Sequence, residues 1–462
     1  MSSSLRVRTR PPALPRTTRW PRVVLVLVVA AAVVVRWQLV DVQTGDYRAF
    51  LLPWYNELAS GGFSALAGNF SNYNTPYLVL LWLMTHLPLT PMVAIKALSV
   101  VFDLVLAGFV YAIIRHLRPT GQWRPVVAAS VVLLLPTVVM NSSAWAQCDA
   151  IYAAFGVGSL YFLLRRRPWL ACVMFGLAFA FKLQAIFFLP VLVVVLLLHR
   201  HRLVTLLAVP AAFLAALVPA LVAGRSLASQ LAIYPAQISD TGGAVGTGRS
   251  AGAGAGRGGF GGGGVPGGGR GTGGAGGFGG GGGGGGSGGF GGGTTSSSTL
   301  TRNAPTWYAW LPSDAGTIWK YVGLALAAAV VLAFGIWLLR RHRSLTGAQT
   351  LLLAATATLV VPLLLPQMHE RYFYLAEVLT VTAVFVERRF LLPAAAIQLA
   401  SVSTYLEYLG QGELMPLGLA AAVALLGAGA AVVLLVVDLR RPPLERTEVS
   451  ATQPGTGSLL VG

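Results

Sequence analysis

The acidic residue of greatest chemical interest is Asp46, in the run Thr44-Gly45-Asp46-Tyr47-Arg48 that follows the first long apolar segment. It lies in a stretch, residues 40–75, that carries acids, amides and aromatic residues but a single basic residue, Arg48. A carboxylate at a membrane surface can act as a general base that removes a proton from a hydroxyl group. It can equally be the N-cap of a surface helix that begins near Tyr47. The sequence alone leaves both interpretations open.

A second polar group, residues 141–149, joins two apolar segments and is richer in hydrogen-bonding side chains than a turn needs. Trp145, Gln147 and Asp149 combine an aromatic face with polar groups, which is typical of residues that contact a sugar. The plainer interpretation makes Trp145 a residue of the membrane-interface aromatic belt and Asp149 a helix N-cap.

Cationic side chains form a third group. Lys182 lies in a tight turn between short apolar segments, where it either extends to the membrane surface or neutralises a lipid phosphate as a point charge. Later in the chain, His369, Glu370 and Arg371 follow another apolar segment. The His-Glu-x-x-His zinc motif is absent because residue 373 is Phe373. Arg371 lies on the side of the membrane where basic residues are rare, and an anionic ligand such as a phosphodiester would explain it.

Two amides and one pair of charges complete the set. Asn74 either binds sugar hydroxyls or belongs to a turn before a helix that has proline in its first turn. Gln184 shares the turn of Lys182. Lys96 and Asp103 are seven residues apart on one predicted helix, and therefore share a face about 10 Å apart along its axis. They form either a functional site within the membrane or an ion pair with another helix.

These residues must be positioned by membrane helices. Of the 462 residues, 55% are hydrophobic and only 10% are charged, whereas soluble domains carry roughly 25% charged residues. The apolar runs are too long for barrel strands and do not alternate, so the fold class is an all-α polytopic membrane protein. The net charge of +18 comes from basic clusters between apolar runs, which act as topology signals and do not indicate nucleic-acid binding.

The apolar runs predict about twelve transmembrane helices. They cover residues 23–39, 93–114, 125–140, 150–164, 168–182, 185–199, 203–223, 318–339, 349–365, 372–386, 390–408 and 417–438.

One more apolar stretch, residues 76–87, is predicted not to cross the membrane. If it does not cross, every basic loop falls on one face, which the positive-inside rule makes the cytoplasm. We therefore predict a re-entrant or interfacial helix in the first outer loop, and both termini inside. The opposite face then collects Asp46, Asn74, Gln147, Asp149, Lys182 and residues 369–371, which is the strongest sequence evidence for an active site.

The predicted organisation has five parts. Residues 1–22 form a basic cytoplasmic amino terminus, residues 23–223 a transmembrane core that includes the outer loop 40–92, and residues 318–438 the carboxy-terminal helices. Residues 224–317 form an outer loop whose glycine-rich tract, 242–293, has too few apolar side chains to fold. Residues 439–462 form a cytoplasmic tail. Aromatic segments on both sides of the glycine-rich tract, 230–238 and 303–311, are positioned to cover the outer site.

Four motifs resemble those of GT-C glycosyltransferases, most closely the bacterial relatives of the GPI mannosyltransferase II group. The resemblance covers most of residues 20–410 outside the glycine-rich tract. The motifs are Gly-Asp-Tyr at 45–47, Trp-Ala-Gln-Cys-Asp-Ala-Ile-Tyr at 145–152, Phe-Lys-Leu-Gln-Ala at 181–185 and Met-His-Glu-Arg-Tyr at 368–372.

The resemblance implies an inverting hexosyltransferase, of the mannosyltransferase type, in the bacterial plasma membrane with its active site on the extracytoplasmic face. The donor is a polyprenyl-phosphate sugar, the acceptor a lipid, glycan or protein, and the other partners are membrane lipids. No cofactor or metal is expected, since the leaving group is a lipid monophosphate and no cluster of metal ligands is visible. The competing hypotheses are a transporter or flippase of a lipid-linked sugar, and a scaffolding membrane protein.

The resemblance also assigns roles to individual residues. Asp46 is the catalytic base. The donor phosphate is bound by Lys182, His369 and Arg371. The resemblance places Gln147 and Asp149 at the sugar site. Apart from the resemblance, we predict that Asn74, Trp145, Gln184 and Glu370 also bind the sugar or the acceptor.

Overall fold

The computed structural model describes residues 19–238, 300–312, 316 and 318–441. Helices make up nearly all of its regular structure, in agreement with the predicted all-α membrane protein. The predicted glycine-rich tract at 242–293, most of the predicted amino-terminal segment and most of the predicted tail lie outside the described residues.

The amino-terminal part of the fold, up to residue 238, consists of helices joined by short turns. They are α1 Trp20–Trp37, α2 Leu52–Gly61, α3 Thr75–Met84, α4 Pro91–Leu117, α5 Trp123–Leu134, α6 Pro136–Val139, α7 Asp149–Leu164, α8 Pro168–Phe181, α9 Leu189–Leu198, α10 Ala208–Val222, α11 Leu227–Leu231 and α12 Ile233–Ile238. Single turns of π-helix, Tyr47–Leu51 and Met140–Ala144, precede α2 and follow α6.

The carboxy-terminal part adds longer helices. They are α13 Ile318–Arg341, α14 Gly347–Leu364, α15 Tyr374–Val384, α16 Leu391–Tyr408 and α17 Leu417–Arg440. Two short parallel strands, β1 Thr301–Arg302 and β2 Met368–His369, pair Thr301 with Met368 and Arg302 with His369.

Local sequence signals explain where several of these helices begin. Proline occupies the first turn of α1, α3, α4, α8 and α9, where its missing N–H group costs no hydrogen bond. The Thr90 hydroxyl accepts a hydrogen bond from the Val93 N–H at the start of α4. At the start of α14, Thr346 and Gln349 form a reciprocal capping box.

Each of the twelve predicted segments coincides with a helix or a helix pair, but four or five of them are too short to span a bilayer by themselves. Seven helices of the described chain are long and apolar enough to span a bilayer, or eight if α5 and the bent segment Pro136–Ala144 form one span. The fold is therefore a multi-pass helical membrane protein, whereas a count of twelve spans remains a prediction.

The predicted interfacial helix corresponds to α3. It has ten residues and is therefore about 15 Å long, roughly half the hydrocarbon thickness of a bilayer, so it cannot span alone. Tyr77, Leu78 and Leu81 are fully buried, and α3 packs against α2, α4 and α10. This compact first-loop unit supports α2, the helix that follows Asp46.

Helix α4 organises the interior through two polar side chains on one face, Lys96 and Asp103. The ammonium group of Lys96 donates to the carbonyl oxygens of Leu39, Val40 and Val42, just after α1. Four residues further on, the chain reaches Asp46. Lys96 therefore holds the turn that leads to Asp46 by binding three backbone oxygens of the chain that follows α1.

Asp103, two turns along the same helix, forms an ion pair with Arg36 of α1. The guanidinium Nε and Nη2 donate to Asp103 Oδ2 at 3.0 and 2.9 Å, and the Tyr374 hydroxyl donates to Oδ1 at 3.2 Å. Of the two interpretations of Lys96 and Asp103, the structure favours the structural one, because their polar atoms bind protein groups. Asp103 thereby connects α1 with α15.

Candidate active site

A polar cavity of about 410 Å³ opens where the first loop, the end of α8, the β1–β2 pair and the end of α16 meet. Six of the ten predicted site residues line it: Asp46, Asn74, Lys182, Gln184, His369 and Arg371. The other four lie outside the lining: Trp145, Gln147, Asp149 and Glu370.

Asp46 lies at the first turn of a helix but does not cap it. No side-chain capping bond is made by Asp46, and the Tyr47 N–H donates instead to the Thr44 hydroxyl at 3.2 Å. The N-cap interpretation of Asp46 is therefore wrong. Its carboxylate is left for other contacts and lines the cavity.

Two N–H donors hold the Asp46 carboxylate. Trp145 Nε1 and Gln147 Nε2 donate to Oδ2 at 2.9 and 2.8 Å. The Gln147 amide is itself oriented, because the Tyr73 hydroxyl donates to its Oε1 at 2.9 Å and so leaves the NH₂ group to face Asp46. Hydrogen bonds of this kind, to a charged acceptor, restrict the rotation of the carboxylate.

The position of Trp145 differs from the predicted one, which was in contact with a sugar. Its ring is fully buried, stacks on Tyr408 with a 3.9 Å centroid separation, and lies 5.4 Å from the Arg371 guanidinium carbon. Because the ring does not line the cavity, direct contact with a sugar is not supported. Trp145 instead contacts both Asp46 and Arg371, and so sets the spacing of the anionic and cationic groups.

The backbone between the two donors is strained in a way that serves their orientation. Ala146 has φ +65°, in the left-handed region that a non-glycine residue rarely adopts. Neighbouring backbone is anchored by the Thr44 hydroxyl on the Trp145 carbonyl and by the Ser99 hydroxyl on the Gln147 carbonyl. These contacts hold a local conformation that would otherwise be unfavourable.

Lys182 and Asp149 form a buried ion pair. Lys182 Nζ lies 2.5 Å from Asp149 Oδ1, and Asn141 Nδ2 donates to Oδ2 at 2.9 Å. The predicted N-cap role of Asp149 is wrong, since Asp149 is the first residue of α7 and its carboxylate faces Lys182. Burial alone would lower the Lys182 pKa, but the adjacent Asp149 outweighs burial and holds that pKa above its ordinary value.

The same ammonium group also faces the cavity. Lys182 Nζ lies 5.2 Å from the centroid of the Tyr73 ring, the ring whose hydroxyl orients Gln147. Lys182 is thus a cation whose charge is largely balanced by Asp149, and its field in the cavity is weaker than that of an unpaired lysine.

Arg371 lines the cavity with few polar contacts to the described residues. Its side chain is 14% exposed, and its only ion-pair contact among the described residues is the 3.4 Å separation of Nη1 from Glu370 Oε1. Its buried Nε has no hydrogen-bond acceptor within the described part of the chain. A buried N–H group without an acceptor is costly, so this guanidinium is suited to an anionic ligand.

Two ionisable neighbours, His369 and Glu370, contribute to the electrostatic surroundings of Arg371. Burial raises the pKa of the Glu370 carboxyl to about 7, although Arg371 acts in the opposite direction. Burial, with the nearby Arg371, lowers the pKa of His369 well below its ordinary value. His369 is therefore neutral at neutral pH, and its 3.9 Å contact with Glu370 is not an ion pair there.

The two predicted amides differ in how firmly they are held. Asn74 caps α3, because its Oδ1 accepts from the Thr75 N–H, while its Nδ2 donates to the Ala180 carbonyl. This is the plainer interpretation of Asn74, and the residue nevertheless lines the cavity. Gln184 lies in the short 3₁₀ turn after Lys182 and is partly exposed at the cavity wall.

Sequence reasoning missed several residues of the lining. They are Phe50, Tyr73, Tyr234, Gln237, Arg302, Tyr372 and Tyr408. Arg302 had a usable signal, because it is a basic residue on the face predicted to lack them, as Arg371 is. The tyrosines carried no such signal, since aromatic residues are common at any membrane interface.

The aromatic segments that were predicted to cover the site do so in part. Tyr234 and Gln237 of α12 line the cavity, and Gln237 Nε2 donates to the Asn72 carbonyl at 2.6 Å. The second segment, 303–311, contributes no residue to the cavity lining, and its Tyr308 donates to the Leu364 carbonyl. Arg302, which lines the cavity, comes just before that segment.

Comparison with known proteins shows a partial similarity to one family of enzymes. A family model described as Glycosyltransferase family 87, a GT-C-like membrane family, matches residues 70–256. The matched stretch includes Asn74, Gln147 and Lys182 but neither Asp46 nor Arg371. No curated protein matches the chain. Over this stretch, less than half of its length, the chain is similar to a family of membrane glycosyltransferases, and its apolar helices are those of a multi-pass membrane protein.

Proposed function

We propose that the chain transfers a hexose, mannose in particular, from a polyprenyl-phosphate donor to an acceptor hydroxyl, with inversion at C1. The observation that carries this proposal is that Asp46 and Arg371 line one cavity and both contact Trp145. The cavity volume of about 410 Å³ lies within the usual range for small-molecule sites, roughly 300–1,000 Å³.

Asp46 acts as the general base. The acceptor oxygen forms a bond to C1 as the bond from C1 to the phosphate oxygen breaks, and the hydroxyl proton passes to Asp46. The two N–H donors on Oδ2 hold the carboxylate in one orientation during this transfer. General base catalysis by a positioned side chain typically contributes about 10²–10⁴-fold.

Arg371 binds the departing polyprenyl phosphate. The support is its buried guanidinium, whose Nε has no acceptor among the described residues. Two further residues line the same cavity. Lys182 adds a positive charge that Asp149 partly balances, and His369 adds a neutral hydrogen-bonding group. Charge-assisted hydrogen bonds in a water-poor site are the larger catalytic effect, because they stabilise charge that grows on the leaving group.

The sugar lies between these two groups. Asn74 and Gln184 are the predicted sugar ligands that reach the cavity wall. Gln147, Asp149, Trp145 and Glu370 act from behind the wall by orienting Asp46, Lys182 and Arg371. We therefore assign these four residues to positioning.

An apolar cavity beside the site suits the lipid part of the donor. It has a volume of about 290 Å³, includes Ile186, Leu324 and Leu365, and shares Gln184 and Arg302 with the polar cavity. A polyprenyl chain placed there would keep its phosphate near Arg371. The extracytoplasmic location of this site in a bacterial plasma membrane follows from the positive-inside argument, and the choice of mannose from the resemblance to the GPI mannosyltransferase II group.

The test is transfer by purified Asp46→Asn with a panel of polyprenyl-phosphate sugars, followed by mass spectrometry of the glycolipid and glycoprotein products. We expect kcat to fall at least ~100-fold with polyprenyl-phosphate mannose. Asp41→Asn is the matched control, since Asp41 is exposed, lies in the same loop and does not line the cavity. Undiminished transfer by Asp46→Asn would refute the base assignment, and sugar transport into vesicles without product would refute the transferase itself.

A further inference from the structure

Three successive cavities lie along α13, between it and the segment formed by the 3₁₀ turn Leu183–Phe188 and α9, from the candidate site to the opposite end of the bundle. The first is the apolar cavity that includes Ile186 and Leu324. The second, of about 130 Å³, is lined almost only by apolar side chains, among them Val194 and Phe334. The third, of about 340 Å³, lies where both helices end. Residue numbers rise together along both helices, so the cavities follow one another across the membrane.

The third cavity has the opposite chemistry from the second. Four arginines line it: Arg200, Arg340, Arg341 and Arg343. Their apolar floor consists of Leu197, Leu198 and Leu339. Within the described residues, none of these four guanidinium groups forms an ion pair, and no acidic residue lines the cavity.

We propose that this end of the α9–α13 groove binds an anionic phospholipid, with its phosphate between the arginines and an acyl chain in the second cavity. The positive-inside rule accounts for arginines at this end of the bundle, but not for their convergence on a concave surface with a leucine floor. Basic pockets between transmembrane helices that adjoin apolar grooves are suited to acidic lipid headgroups.

The position of the groove favours a lipid over a soluble anion. Lys320 and Arg341 are separated by about 30 Å along α13, which is roughly the hydrocarbon thickness of a bilayer. Much of α13 faces outward, with only 17% of its most apolar window buried. A bound lipid would fill the space that α13 leaves against α9, and would stabilise the wall of the groove near the candidate site.

The position of the acyl chain can be tested separately at Gly335, which lines the second cavity. A methyl group added there would meet Val194 Cγ2 at 3.6 Å, which is ordinary van der Waals contact. Gly335→Ala should therefore be accommodated, whereas Gly335→Leu should fill the second cavity. Comparing these two variants distinguishes blocking of the groove from a general effect of replacing glycine in α13.

The experiment is native mass spectrometry of the purified full chain titrated with phosphatidylglycerol, and in parallel with phosphatidylcholine or inorganic phosphate. Each basic residue near an anionic lipid contributes about a five-fold change in binding, so replacing Arg200, Arg340 and Arg343 together by glutamine should weaken phosphatidylglycerol binding roughly 100-fold. Gly335→Leu should also weaken it, and Gly335→Ala should not.

The matched control replaces Arg124, Arg165 and Arg388 by glutamine, which removes the same charge from exposed positions outside the third cavity. We expect this control to retain wild-type phosphatidylglycerol binding. Equal losses in the two triple variants would overturn the proposal in favour of general surface charge. Displacement of phosphatidylglycerol by inorganic phosphate, with no effect of Gly335→Leu, would show a soluble-anion site and overturn it as well.

Discussion

The hydrogen bond from Gln147 to Asp46 offers the sharpest test of how the site is positioned. Gln147→Met keeps a long unbranched side chain of similar size in a place that is only 2% exposed. It removes the 2.8 Å donor to Asp46 Oδ2 and leaves the Trp145 donor in place. The substitution therefore loosens the carboxylate without removing it.

The expected decrease in kcat follows from the type of hydrogen bond that is lost. A hydrogen bond to a charged group contributes about 1.5–3 kcal/mol. If the bond matters chiefly in the transition state, kcat should fall roughly 10- to 150-fold. The KM for the donor should stay within a factor of about two, because Gln147 does not line the cavity where the phosphate binds.

The assay is steady-state transfer from polyprenyl-phosphate mannose by wild type, Gln147→Met, Asp46→Asn and the double variant. Tyr73→Phe is the graded control, since it removes only the hydroxyl that orients the Gln147 amide, and its loss should be the smaller one. Because Gln147 acts through Asp46, its substitution should have no further effect once Asp46 is asparagine. Additive losses in the double variant, or a change confined to KM, would refute the positioning role.

Two further predictions concern buried charges. Burial raises the pKa of Glu370 to about 7, so the carboxyl group is ionised above that pH and then competes with the donor phosphate for Arg371. In wild type, the KM for the donor should therefore rise several-fold from about pH 6 to about pH 8. In Glu370→Gln, the KM should not change over this range. The folded-state pKa lies above the ordinary 4.5, so the neutral carboxyl makes its full contribution to folding, about 3 kcal/mol, below pH 4.5. This contribution is lost between pH 4.5 and about 7. In thermal unfolding, the advantage of Glu370→Gln over wild type should therefore grow across that range and stay constant at higher pH. Lys182→Met should lower the free energy of unfolding by about 3–5 kcal/mol, because Asp149 remains buried without its ion-pair partner. Adding Asp149→Asn should recover most of this loss. If Lys182→Met were as stable as wild type in a denaturant titration, this expectation would be wrong.

The helices and the rough location of the site were predictable because their signals are local. Long apolar runs, prolines in first turns and basic clusters between segments are properties of neighbouring residues. They were enough to locate α4 and α13 within a few residues, and to assemble Asp46, Lys182 and Arg371 in one group. The six predicted residues that line a common cavity agree with that grouping.

The roles within the group could not be predicted in the same way. Trp145 and Asp149 were expected to contact a sugar, but Trp145 orients Asp46 and Asp149 pairs with Lys182. Both outcomes depend on which side chain faces which across helices that are far apart in sequence. A motif preserves residue types, and it contains no information on the direction in which each one points.

Sequence alone therefore determined the class of protein, the order of its helices and the residues available for chemistry, because hydrophobicity and charge act on each segment separately. Tertiary structure decided which carboxylate is oriented toward the cavity and which is neutralised by a lysine, because that depends on contacts between distant segments. Asp46 and Trp145 are 99 residues apart in the chain and only 2.9 Å apart in space. In an interior of low dielectric, such contacts determine whether a buried charge is balanced by the protein or left for a ligand.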